Sequence, residues 1–157
     1  METFKNKIES FLGNSLVVIM GFMVINVLWQ VFTRFILADP SSFTDELARF
    51  LMIWLGVLGA AYASGKNLHV AIDVIPMRSS SLRRKRMNII VDIVIILFVF
   101  AAFIIGGSRL IYISIVLGQL SPSLQIPMAF VYGVIPLSGI LIVFFKSLKL
   151  LNYNNSL

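Results

Sequence analysis

Cysteine is absent from this 157-residue chain and histidine occurs once. Disulfides and thiolate chemistry are therefore excluded, and so is a multi-histidine metal site. Charge is scarce as well: 13% of residues are charged, against about 25% in a typical soluble domain. Hydrophobic residues reach 59% and mean hydropathy is +0.95, far more apolar surface than a soluble fold of this length needs. One domain is expected at this size.

The apolar residues fall into four blocks, at about 12–35, 45–65, 88–118 and 127–145. A bilayer core of about 30 Å needs about 20 helical residues, so each block is long enough to cross. Residues 89–105 and 130–145 are apolar almost all round, as a lipid-facing helix requires. The fold class expected is an all-α integral membrane protein: a single membrane domain of four transmembrane helices. Lys5 and Lys7 precede an apolar run too long for a signal-peptide core, and no A-x-A cleavage site follows. The first block reads as an uncleaved signal-anchor helix.

The basic residues set the expected orientation. Lys5, Lys7, Lys66, Arg78, Arg83, Arg84, Lys85, Arg86, Lys146 and Lys149 would share one side, against Arg34 and Arg49 on the other. That bias orients the chain with both termini in the cytoplasm. Arg109 lies about 32 Å along the helix from Asn88, near the outer interface where it can snorkel. The net charge of +6 thus reports topology and not nucleic-acid binding.

The links differ in kind. Pro40 breaks the chain between the first two helices, and Ser42 with Asp45 reads as an S-x-x-D capping box. The 67–76 stretch is too short to span and reads as a short interfacial segment between helices two and three. The basic run Arg83-Arg84-Lys85-Arg86 follows it and suits an anionic inner leaflet. His69 and Asp73, four apart, read as an interfacial anchor together with that run. They have too few ligands for a metal and no activated serine for catalysis. Asp92 reads as a helix-start carboxylate neutralised by Arg83–Arg86. The 119–126 loop carries no charge.

Polar residues inside the membrane point to contacts. Asn26, Gln30 and Arg34 recur every four residues and form one stripe on helix one. Asp45, Glu46 and Arg49 offer Asp45–Arg49 and Glu46–Arg49 pairs at the start of helix two, where acids suit the helix dipole. Adjacent carboxylates without a cleft are not a glycosidase pair. Gly56, Gly59 and Ala60, with Ala63 and Ser64, make a face of small residues suited to close helix approach. Pro136 should kink helix four. No catalytic, cofactor or metal site is expected.

The run from Ser41 to Ala63, followed by His69-Val70-Ala71-Ile72-Asp73, resembles the small permease subunit of TRAP transporters, the DctQ-like family. Trp29–Phe35 and Leu124–Tyr132 are similar to it as well. Phe43 stands where that family usually has tryptophan, and Asp45 where it has its first glutamate. The resemblance implies a bacterial inner-membrane scaffold beside a large, DctM-like permease subunit. That transporter takes up an organic anion, such as a dicarboxylate, a sugar acid or sialic acid. A periplasmic substrate-binding protein delivers the anion, and sodium is coupled. Membrane lipids are the remaining partners. Two other classes stay open: a self-contained four-helix transporter, which would want a mid-membrane carboxylate that helix one lacks, and a membrane assembly factor.

Overall fold

The computed structural model describes residues 2–39, 41–66 and 81–154. Four of its helices are long and apolar enough to cross a membrane: Lys5–Phe35, Ser42–Gly65, Arg86–Val116 and Met128–Leu151. Among the described residues there is no strand, and Leu120 and Pro127 form an isolated antiparallel bridge.

Helix α1 runs from Glu2 to Phe35, starting well before the first apolar residue of its block. Hydropathy marks the stretch that lipid tolerates. Lysine and glutamate are good helix formers, so the helix continues outside that stretch. The chain leaves α1 through Ala38 in a left-handed conformation (φ 53°). Helix α2, Ser42–Gly65, starts without the expected capping box. Its N-cap is Ser41, which makes no side-chain cap bond. Asp45 is instead engaged by Gln30 and Arg49.

The third span is one rod with an irregular centre. Helix α3 (Ser81–Val99) passes into a π-helical segment (Phe100–Gly106), then into α4 (Gly107–Val116). Gly118 ends α4 at φ +57°, while the Gln119 amide donates to the Ser114 carbonyl at 3.0 Å and the Gly118 amide to Ile115 at 3.0 Å. This is a Schellman stop, and it takes glycine because the turn is left-handed.

The fourth span, Met128–Leu151, is interrupted one turn before Pro136, while the backbone at Gly133 stays helical (φ -56°, ψ -27°). Helix α5 (Met128–Tyr132) and α6 (Val134–Asn154) meet at Gly133. Pro136 cannot donate to Tyr132, so the ladder fails there, and proline is tolerated only because it falls in the first turn of α6. The Trp54 indole N–H donates to the Val131 carbonyl beside the break at 3.2 Å.

The spans lie in a row. α1 packs on α2, α2 on α6, and α6 on α3 and the π segment. One apolar cluster centres on Leu12, Leu58, Val134 and Phe145, a second on Ala61, Val99 and Ile142. At Gly139 of α6 a β-carbon would stand 2.8 Å from Phe103 Cβ in the π segment. Gly139→Ala should therefore force the two helices apart, at a cost of about 1–3 kcal/mol read as a lowered melting temperature.

Candidate functional surfaces

Apolar packing alone gives neighbouring helices little preference over lipid, so polar contacts and small residues decide which helices meet. Each neighbouring pair in this row has such a contact.

At the loop end, the expected stripe on α1 is partly realised. Buried Asn26 donates through Nδ2 to the Thr44 carbonyl at 2.7 Å, and Gln30 donates through Nε2 to Asp45 Oδ1 at 3.1 Å. Both fasten α1 to the first turn of α2. Arg34 does not join them. It is exposed and sits 5.9 Å from the Phe35 ring centroid. Of the two expected arginine pairs, Asp45–Arg49 forms at 3.0 Å. Glu46 turns away from Arg49. Its Oε2 accepts the backbone N–H groups of Ser123 and Leu124, at 2.8 and 2.9 Å. The uncharged 119–126 loop is thereby tied to α2 by a carboxylate 77 residues earlier.

In the middle, the Ser138 hydroxyl donates to the Val57 carbonyl at 2.6 Å, joining α6 to α2. The small face of α2 divides here. Ala60 packs into the second apolar cluster, whereas a β-carbon at Gly56 or Gly59 would meet nothing within 4 Å. These two glycines face away from the chain's own helices.

At the end where α1 begins and α6 stops, two carboxylates gather lysines. Glu9, 5% exposed, pairs with Lys5 at 3.2 Å and with Lys66 of the α2 terminus at 3.3 Å. Asp92, 2% exposed, takes Lys146 at 2.8 Å and Lys149 at 3.0 Å, both from α6. Glu9 Oε1 and Asp92 Oδ2 are reached as ion pairs without hydrogen-bond geometry. Among the described residues the partners of Asp92 are lysines 54 and 57 residues later, while the side chains of Arg83, Arg84 and Lys85, expected beside it, are not described. Glu9 escapes a reading of charge bias because acids contribute little to topology. The signal was there: a lone acid four residues after Lys5, at the edge of an apolar run.

Arg83, Arg84 and Lys85 stand in the first turns of α3, and Arg86 on the same helix is exposed. His69 and Asp73 lie outside the described residues. Among the described residues, no three of His, Cys, Asp and Glu come together.

These features define a multi-pass helical membrane protein whose polar groups serve contacts between elements. Residues 23–152 match the family described as tripartite ATP-independent periplasmic transporters, DctQ component, and the chain belongs to that family. It is 29% identical to a putative TRAP transporter small permease protein of Haemophilus influenzae, over 79% of this chain and 75% of that one. It is 25% identical to the sialic acid TRAP transporter small permease protein SiaQ of Vibrio cholerae, over 94% and 82%. A third relative, the sialic acid TRAP transporter permease protein SiaT of H. influenzae, is 31% identical over 66% of this chain. The chain spans 16% of that longer protein. It is a small permease subunit of a TRAP transporter, a multi-pass component of the bacterial inner membrane that works beside a large permease. It is a transporter component and not an enzyme.

Proposed function

We propose that this subunit braces the large permease during sodium-coupled uptake of an organic anion handed over by a periplasmic binding protein. The anion class is a dicarboxylate, a sugar acid or sialic acid, and both termini are cytoplasmic. The observation that carries the reading is the family match over 23–152, together with a relative in which a similar segment forms 16% of a longer permease. Two of the relatives bear sialic acid in their names, which favours that member of the class. The lysines that pair with Glu9 and Asp92 share one end of the row, in keeping with the charge bias.

In this reading the open side of α2, with Gly56 and Gly59, receives a helix of the large permease. The end bearing Asn26, Gln30, Arg34, Asp45, Glu46 and Arg49, with the 119–126 loop, borders the binding-protein dock. The 67–86 segment, with His69, Asp73 and the Arg83–Arg86 run, anchors the cytoplasmic interface.

Arg49→Glu tests it. The Asp45–Arg49 pair is largely exposed and contributes at most about 1 kcal/mol, so the chain itself should melt nearly unchanged. Uptake in cells expressing the whole system, or the yield of co-purified large permease, should nevertheless fall several-fold. Unchanged uptake and unchanged yield would remove this end of the molecule from the contact surface. Transport by the purified chain alone in liposomes would overturn the bracing role.

A further inference from the structure

On one side of the row, α1 and α6 flank α2 and leave an open groove of about 830 Å³. Its walls are apolar along most of their length, with Val18, Ile19, Leu58, Leu137 and Leu141 among them. At the start of α1 the lining changes: Lys7, Asn14 and Ser15 also face the groove. Lys7 is exposed, and among the described residues none of these three has an ion-pair or hydrogen-bond partner. Nearby, Lys5 and Lys66 share the single carboxylate of Glu9, so this end of the groove carries an excess of positive charge.

Polar side chains without partners are costly at membrane depth. Their order along the helix matches one kind of molecule. Lys7 stands about 10 Å beyond Asn14 at helical rise. A cation comes first, then an amide and a hydroxyl, and then a long apolar wall. A phospholipid presents the complementary series of phosphate, ester carbonyls and acyl chains. A transmembrane helix would bring apolar surface to the wall but no acceptor series for its end.

We infer that this groove is a binding site for an anionic diacyl phospholipid. The phosphate pairs with Lys7, the ester carbonyls accept from Asn14 Nδ2 and Ser15 Oγ, and the acyl chains lie along α2 and α6. The inference needs only that the chain spans a membrane. It can therefore fail or hold independently of the transporter assembly proposed above.

Trp54 lines the groove and is one of two tryptophans, so Trp29→Phe leaves it as the sole reporter. The full-length Trp29→Phe chain is reconstituted in phosphatidylcholine vesicles with rising fractions of a lipid brominated on its acyl chains. Brominated phosphatidylglycerol should compete for the groove about fivefold better than brominated phosphatidylcholine, the advantage of one lysine at an anionic headgroup. Lys7→Gln should bring the ratio near one. Asn14→Leu with Ser15→Ala should weaken quenching by both lipids. Equal quenching by the two lipids, or a preference that survives Lys7→Gln, would make the groove an ordinary lipid-facing depression and overturn the site. Native mass spectrometry of the complex with the large permease gives a second reading. A retained phosphatidylglycerol that Lys7→Gln removes supports the site. Its absence from the wild-type complex means that protein fills the groove, and the inference fails.

Discussion

Asp92→Asn is expected to destabilise the protein by about 3–5 kcal/mol, because it strands the Lys146 ammonium, 2% exposed, without a counter-charge. The loss should appear as a large fall in melting temperature of the detergent-purified protein and in the amount recovered from membranes. The pair is costly to break without being strongly stabilising when whole. Two ions taken out of water lose solvation that their mutual attraction barely repays. Lys146→Met in the Asp92→Asn background should therefore restore most of the stability. Lys149, which is more exposed, tolerates the change better because water can solvate it. If Asp92→Asn melts like the wild type, the α3–α6 ion pair is not what holds these helices in register.

That pair also shows what sequence reveals of this fold. Four blocks of apolar residues were enough to give four spans, because lipid imposes one requirement on all of them. The Asn26–Gln30 stripe was legible for a similar local reason: residues four apart share a helix face. Arg34 continues the spacing but not the contact, since α1 ends one residue later and the chain turns away toward Ala38. Contacts between spans were not legible. Asp92 stands only six to nine residues from four basic side chains in sequence, yet its lysines come from a helix 54 residues on. In the sequence the basic residues carry only the expected orientation bias. Three of them, Lys66, Lys146 and Lys149, are also pins between helices, and only the packing shows it. The π-helical segment had no sequence signature at all. It lies against Gly139, where a β-carbon would stand 2.8 Å from Phe103 Cβ.

Glu46→Ala is expected to release the 119–126 loop. The carboxylate holds two backbone amides, and hydrogen bonds to a charged group are worth about 1.5–3 kcal/mol each in a shielded site. Here the loop is at the surface and water replaces the lost acceptor in part. The whole effect should therefore stay near the lower figure, about 1.5 kcal/mol for the two together. The sharper result is local. Hydrogen exchange at the Ser123 and Leu124 amides should rise by an order of magnitude or more, while amides in the middle of α2 keep their protection. Glu46→Gln retains one acceptor oxygen but not the charge, so exchange should fall between wild type and alanine. Should both amides stay protected in Glu46→Ala, the loop is shaped by its own turn bonds, Ser121 N–H to Ile126 and Gln125 N–H to Ser121, and Glu46 is incidental. If the loop loosens and uptake falls while large-permease yield holds, the docking role proposed for this end is supported. Loosening without any loss of uptake would overturn that proposed role.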